Sequence, residues 1–597
     1  MGNPVPERLQ ALRREMKQRK IDIYIVPTSD FHESEYVGEF FKARKFITGF
    51  TGSAGTAVIT AESAGLWADG RYFIQAENQL KGSTVELFRM AQEGVPTVAE
   101  YVEQQLPEGG CLGFDGRVIN AAAAKTYEEI ASKKGGSIYA SEDLIGLIWQ
   151  DRPAMSKEPC YVLDLQYAGK STQEKLADIR AKMEEAGADL HIVASLYDIA
   201  WILNIRGNDI SYVPVVLSFL VIGQENCIWF LQSEILDDKV RAYLQENHVE
   251  IREYDEIYSY AAGLSGHKVL IDEQSVNYRL AGALSNNTVI DGGNPSYLMK
   301  SIKNTTEIAN TIRAHVMDGV AMTKFMYWLK TNIGKIEMTE ISASDYLESL
   351  RRAEPHCLDL SFTTICAYGA NAAMMHYSAN EESNAVLKPE GMLLVDSGGH
   401  YYEGTTDITR TFALGPITDT MREHYTRVLR SNLNLSHAKY LYGCRGFNLD
   451  ILARGPLWDL GIDYRCGTGH GVGYLLNVHE GPNGFRWRVV AERNDSGTLE
   501  EGMITTDEPG VYLEGEYGIR IENELVCRKA EKNEYGQFMC FEDITYCPID
   551  LDCIDPEELS KTERRWLNEY HANVYEIISP YLNEEEKTWL KEYTRAV

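Results

Sequence analysis

The chain has 597 residues, 44% of them apolar and 24% charged, with a formal net charge of −30. That length exceeds what one core serves and predicts three or four units, and the balance of apolar and charged residues excludes a disordered or fibrous class. The absence of any block of Lys and Arg argues against a nucleic-acid partner, whereas an acidic surface suits solubility or a basic partner such as a histone.

In chain order, the N-terminal stretch MGNPVPERLQALRREMKQRK carries charge but no apolar segment of a secretory signal. Two stretches then align at a constant offset of 167 residues, RLQALRREMKQRKIDIYIV from Arg8 and KLADIRAKMEEAGADLHIV from Lys175. Leu9, Leu12 and Met16, like Leu176, Ile179 and Met183, recur at helical spacing, and each helix leads through Asp22 or Asp189 into a β-branched strand. The repetition predicts a duplicated helix-then-strand domain, the first spanning 1–155 and the second 156–300. FITGFTGSAGTAVIT and LWADGRYF add strands and glycine turns to a mixed sheet, and WQDRPAMSKEP reads as a linking loop. VPVVLSFLVIG, the longest apolar run, is about half of the roughly 20 residues a membrane span needs and reads as a buried strand. A third domain, 301–597, opens on a long helix with Thr305 or Thr306 as its cap. The whole is expected to be α/β (α+β). Eleven cysteines without a CxxC pair predict reduced thiols and a cytoplasmic location.

The chemistry concentrates in the third domain. GMLLVDSGGHYYEGTTDITRTF reads as strand, turn, strand, with Asp396 closing the first run and Asp407 within the second. TTDEPGVYLEGEYGIRIENELV forms a second hairpin, with Glu508 before a Pro-Gly turn and Glu522 in an alternating strand. Between them, CGTGHGVGYLLNVHEGP supplies His470 and His479. Carboxylates sharing one pocket repel by roughly 4 kcal/mol per pair at 4 Å and an effective dielectric of 20. Four of them demand compensating cations. Two divalent ions balance four carboxylates, and oxygen-rich ligation with one imidazole suits manganese, with zinc, cobalt or magnesium as alternatives.

Asp396, Asp407, His470, Glu508 and Glu522 resemble, in order and spacing, the metal ligands of the aminopeptidase P, prolidase and methionine aminopeptidase family, which has the pita-bread fold. GANAAMMHYSAN, GTTDITRTF, GTGHGVGYLLNVHEGP and GIRIENELV, with IVPTSDFHESEYVGEFFKARKFITGFTGSAGTA and LWADGRYF, are similar to the long, three-domain cytosolic type of Xaa-Pro aminopeptidase. The resemblance covers nearly the whole chain. It implies two creatinase-like N-terminal domains, a pita-bread catalytic domain, two divalent ions, manganese above zinc or cobalt, and a homodimer acting on peptides with proline second.

The resemblance also implies roles. Asp396 holds one metal, Asp407 and Glu522 bridge, and His470 with Glu508 completes the other. A shared hydroxide is the nucleophile and Glu508 the proton acceptor. His376 and His479 bind the scissile carbonyl, and Tyr512 and Arg520 support the ligands. Cys466 stands where many relatives carry a histidine, and is expected to line the substrate side. His400 and His424 match nothing in the pattern and read as surface or packing residues. The rivals are a prolidase restricted to Xaa-Pro dipeptides, a metal-free histone-binding protein of the same fold and a creatinase-like hydrolase. The intact ligand set disfavours the last two.

Overall fold

Leu9, Leu12 and Met16 lie on one face of helix α1 (Val5–Arg19) and are at most 2% exposed. Each such side chain contributes roughly 1.5–3 kcal/mol on burial. The computed structural model describes residues 3–490 and 495–597, in two compact units: the chain up to Leu163 with Lys170–Ser296, and Asp164–Gly169 with Tyr297–Val597.

In the first unit, α1 leads into β1 (Ile23–Pro27), at the centre of a six-stranded sheet with β2 (Thr56–Thr60), β3 (Ala64–Ala68), β4 (Glu86–Arg89), β5 (Cys111–Phe114) and β6 (Ser137–Tyr139), in the order β4-β3-β2-β1-β5-β6. Helix α2 (Thr172–Ala186) buries Leu176, Ile179 and Met183 and leads into β7 (Leu190–Val193). With β8 (Ser218–Gly223), β9 (Cys227–Leu231), β10 (Val249–Glu253), β11 (Lys268–Ile271) and β12 (Thr288–Asp291), it forms a sheet ordered β10-β9-β8-β7-β11-β12. The two sheets share strand order and the sense of every pairing: parallel outer pairs enclose two antiparallel ones.

The two aspartates between helix and strand have the same job. Asp22 accepts the Cys111 N–H at 2.8 Å while its own N–H bonds the Cys111 carbonyl. Asp189 does the same with Lys268, again at 2.8 Å. Each closes the open end of the neighbouring parallel strand, where an unpaired N–H would otherwise remain. In VPVVLSFLVIG only Ser218–Gly223 is strand. Pro214 has no N–H to give, and the Leu217 N–H goes to the Asp209 carboxylate at 2.8 Å, so the first half is buried without joining a ladder.

The second unit opens on α3 (Thr305–Asn332), whose cap is Asn304 and neither Thr305 nor Thr306. Asn304 Oδ1 accepts the Thr306 and Glu307 N–H groups at 2.9 and 3.0 Å, and Glu307 returns a bond to the Asn304 N–H. This reciprocal box leaves the threonines inside the first turn. Helix α4 (Glu340–Ala353) follows, then a three-stranded sheet of β13 (Ile365–Tyr368), β14 (Met392–Ser397) and β15 (Ile408–Ala413). After α5 (Asp419–Ser436) come β16 (Lys439–Leu441), α6 (Gly446–Trp458), β17 (Gly469–Gly471), β18 (Glu480–Phe485), β19 (Ile504–Asp507), the hairpin of β20 (Gly510–Leu513) and β21 (Tyr517–Arg520), β22 (Asn523–Asn533) and β23 (Gly536–Asp543). A third six-stranded sheet runs β16-β23-β22-β19-β17-β18. The chain is α/β with mixed sheets, and all eleven cysteines are free thiols. No helix among the described residues is long and apolar enough to cross a membrane.

Candidate metal centre

The acidic residues sit where strands end or are interrupted. β14 pairs with β15 so that Asp396 faces Thr409, and Asp407 stands just before β15, outside the ladder in which it was expected. Its N–H donates to Glu524 Oε1 at 2.8 Å, which leaves the carboxylate free to turn inward. β19 pairs with β22 through Asp507 and Asn523, and β20 with β21 through Gly510 and Arg520. One register therefore runs through both, and it places Glu508 opposite Glu522 in the gap between them. Glu522 likewise lies outside a strand, between β21 and β22.

His470 enters from β17, the antiparallel neighbour of β19. Its N–H donates to Thr506 Oγ1 at 3.0 Å, and its Nδ1 lies 3.0 Å from the Gly471 carbonyl. That carbonyl can only accept, so Nδ1 carries a proton, and in the neutral ring Nε2 then presents a lone pair. Nε2 stands 3.5 Å from both Asp407 Oδ2 and Glu508 Oε1. A lone pair aimed at two carboxylates is repulsive unless a cation lies among them. Asp407, His470 and Glu522 each offer a ligand atom within 4.8 Å of the others.

Electrostatics agree with the geometry. Burial pushes the Asp407 carboxyl well above its ordinary range, reinforced by Asp396, Glu508 and Glu524. Burial does the same to Glu522, with Asp407, Glu508 and Asp396 adding to it. Arg520, only 3% exposed, is the opposing charge. Its Nη2 donates to Asp396 Oδ2 at 2.5 Å, its Nε to Thr409 Oγ1 at 3.1 Å and its Nη1 to the Tyr512 hydroxyl at 2.6 Å. Thr409 passes the link on, donating to Glu522 Oε2 at 2.6 Å. The other Asp396 oxygen, Oδ1, is buried with no hydrogen-bond partner. An orphaned carboxylate oxygen beside this cluster fits a cation as its partner, and the oxygen-rich donor set with one imidazole fits divalent ions.

His479 lies close by, its ring 4.3 Å from that of His470 and nearly perpendicular at 84°. The next residue, Glu480, is buried between the ammonium groups of Lys300 and Lys303. His376 is half-buried in the turn after the short helix Gly369–Ala373. That segment abuts β21: a Cβ at Gly518 would stand 1.9 Å from the Ala372 carbonyl oxygen, so only glycine fits. Cys466 is half-buried against the cluster that includes Tyr512, and burial pushes its thiol up to about 12, with Glu508 adding to the effect. Its carbonyl accepts from Arg454 Nη2 at 2.7 Å. His400 and His424 are 2% and 9% exposed and bond Thr405 Oγ1 and the Tyr517 hydroxyl, so both are packing residues and neither is a surface one.

Sequence reasoning passed over Thr409, Glu524 and Thr506. The first two lie two residues after Asp407 and Glu522, on the same face of an extended chain, and that period-two signal was there to be read. His315, whose Nε2 lies 3.1 Å from Glu524 Oε2, comes from the distant helix α3 and gave no local signal.

Residues 309–529 match metallopeptidase family M24 and 537–597 the C-terminal region of that peptidase. Residues 8–150 and 151–307 each match a creatinase/prolidase N-terminal domain. A probable Xaa-Pro aminopeptidase P of Botryotinia fuckeliana is 39% identical over 98% of this chain and 92% of its own length. Aminopeptidase P1 of Arabidopsis thaliana is 36% identical over 99% of both chains. The crystal structure of an X-prolyl aminopeptidase from Caenorhabditis elegans, a cytosolic enzyme with a di-nuclear active site, superposes with a TM-score of 0.94 at 33% identity, over 99% of this chain and 100% of that one.

Proposed function

This chain belongs to the Xaa-Pro aminopeptidase P branch of the M24 metallopeptidases, and from that premise we propose that it releases the N-terminal residue of peptides whose second residue is proline. The observation that carries the reading is His470 Nε2, which stands 3.5 Å from both Asp407 Oδ2 and Glu508 Oε1 inside a carboxylate cluster. Two divalent ions fit this site, with Asp396, Asp407, His470, Glu508 and Glu522 to hold them, and the predominance of oxygen donors favours manganese over zinc or cobalt. When bound, such ions polarise a carbonyl and acidify a water.

The chain's own residues do the rest. Asp407 and Glu522, whose ligand atoms lie within 4.8 Å of each other and of His470, would be the carboxylates shared between two ions, as the family resemblance implies. Glu508, one-fifth exposed and fixed by a 3.4 Å bond from Thr506 Oγ1, takes a proton and returns it to the departing prolyl nitrogen. That nitrogen belongs to a tertiary amide and leaves only once protonated. His479 and His376 donate to the scissile carbonyl oxygen as it gains charge. Arg520 holds Asp396 and, through Thr409, Glu522 in place, with Tyr512 as its third anchor. Cys466 lines the substrate side.

We further propose three domains, 1–155, 156–300 and 301–597, a cytoplasmic location supported by eleven free thiols, and a homodimer. The last is supported by an exposed apolar face on α6, where Phe447, Ile451 and Trp458 are 37–49% exposed and Trp458 meets Trp487 edge-on at 6.4 Å. The decisive experiment compares kcat/KM for Xaa-Pro-Xaa, Xaa-Ala-Xaa and Xaa-Pro after reloading with manganese, cobalt or zinc. Tripeptides with proline second are the expected substrates. Activity confined to Xaa-Pro means prolidase, and no hydrolysis with any metal together with histone binding means a binding protein.

A further inference from the structure

Residues 368–385 form the loop that carries His376, and one buried carboxylate closes its neck. Glu340, the first residue of α4, is 0% exposed. Its Oε1 accepts from the Tyr368 N–H at 2.7 Å and from Asn371 Nδ2 at 3.0 Å. Its Oε2 accepts from the Tyr377 hydroxyl at 2.7 Å and from the Ala385 N–H at 2.9 Å. The donors come from both limbs of the loop and from the residue next to His376.

Helix capping does not account for this. Thr339 is the cap of α4, and its hydroxyl takes the Ser342 N–H at 3.1 Å. Glu340 has turned away from solvent instead, which is costly for a carboxylate unless its oxygens are fully bonded. Four donors meet that demand, and all four belong to the loop. The residues around His376 are also fixed from the other side: Tyr377 packs in a cluster with Leu394, which stands two residues along β14 from Asp396, and Met374 lies against that cluster. The carboxylate and this cluster together leave the His376 backbone little freedom.

We propose that Glu340 is a positioning residue for His376, holding its loop at the distance from β14 at which the imidazole meets the scissile carbonyl. This rests on the reading of His376 as a carbonyl-binding group. Glu340 touches no substrate, so its effect passes wholly through His376. In Glu340→Gln one oxygen becomes an NH2 that can only donate, and it meets two N–H or O–H donors on one side of the neck.

The test is a double-mutant cycle on the metal-reloaded full chain with an Xaa-Pro-Xaa peptide. Glu340→Gln is expected to lower kcat about 10-fold or more, with metal content intact and KM changed less than kcat. In the His376→Ala background the same substitution is expected to add nothing. Tyr377→Phe removes one of the four donors and gives a smaller loss of the same non-additive kind; it decides the matter should Glu340→Gln not fold. Losses that add in full to that of His376→Ala, or a rise in KM alone, overturn the proposal while leaving the reading of His376 intact. An unchanged kcat in His376→Ala itself removes that reading, and the role of Glu340 with it.

Discussion

Stripping the metals should make the stability of this protein respond to pH in one defined direction. The Asp407 and Glu522 ligand atoms lie within 4.8 Å of one another. Two full charges at that distance repel by about 3.5 kcal/mol at an effective dielectric of 20. Both carboxyls are raised well above their ordinary values of 3.8 and 4.5, by burial first, then by Asp396, Glu508 and Glu524 at Asp407 and by Asp407, Glu508 and Asp396 at Glu522. The stripped folded state therefore keeps protons that the unfolded chain has already released, and it loses stability as pH rises from the ordinary carboxylate range towards the raised values. Metal binding expels those protons. For each proton displaced, the stabilisation conferred by metal must grow by about 1.4 kcal/mol per pH unit, or about 2–4 °C in Tm for a unit of this size. Thermal unfolding of chelated and reloaded protein between pH 6 and 8 reads the difference, and calorimetric metal titration in two buffers of different ionisation enthalpy counts the protons. A metal-induced Tm shift that is flat or shrinks with rising pH, with no proton released, refutes the shared-site reasoning.

Asp407→Ala and Glu522→Ala should each emerge metal-depleted, while His376→Ala and His479→Ala keep their metals and lose kcat on the order of 10²-fold; elemental analysis beside kcat separates the two groups, and a depleted His479 variant would make that histidine a ligand. Cys466→Ala should keep its metals and change KM more than metal content, because the raised thiol is protonated at neutral pH, and Cys466→His should be tolerated; metal loss in Cys466→Ala would reveal a sulfur ligand. Burial lowers His571 to about 3, its Nε2 accepting the Ile549 N–H at 3.0 Å. Since this base is neutral when folded and titrates near 6.5 when unfolded, stability present above 6.5 is lost as pH falls, by about 2 kcal/mol at pH 5. His571→Gln should shrink the loss between pH 7 and 5 in urea unfolding of the chelated protein, and an unchanged loss would contradict it.

The duplicated helix-strand unit was legible because its signals are local. Leu9, Leu12 and Met16 repeat at the period of a helix, and Asp22 and Asp189 mark the point where a strand must be closed. The acids of the cluster were legible for a similar reason, as carboxylates at the ends of apolar runs. Their exact setting was not. Asp407 and Glu522 were expected inside strands and lie outside them, because the break in each ladder is set by a partner more than a hundred residues away: Glu524 takes the Asp407 N–H, and the Glu522 N–H goes to the Thr409 carbonyl at 3.1 Å. The expectation of Thr305 or Thr306 as the cap failed on a finer point, since all the candidate caps are good acceptors and Glu307, three residues after Asn304, completes the reciprocal box with Asn304.

Those breaks explain how a hostile cluster can be built at all. A carboxylate inside a ladder points where the pleat directs it, and neighbours on one face are spaced by the strand. At an interruption the backbone is held by a side chain instead, and the carboxylate can turn towards a common centre. Each such hold is rigid: Glu524 on Asp407, Thr506 on His470, and Arg454, which grips Asp450 at 2.6 Å and the Tyr464 and Cys466 carbonyls at 2.8 and 2.7 Å. Asp450 in turn accepts from Thr468 at 2.5 Å, and the Thr468 carbonyl receives the Glu508 N–H at 2.8 Å. Helix α6, through Arg454 and Asp450, is thus bonded to the segment that leads into β17 and, by way of Thr468, to Glu508. The backbone bonds that hold Asp407, His470 and Glu508 oppose relaxation of the repulsion among the acids by spreading, and uptake of protons or cations relieves it instead. A scaffold of this kind is preorganised for divalent ions, with its stability at neutral pH tied to their presence.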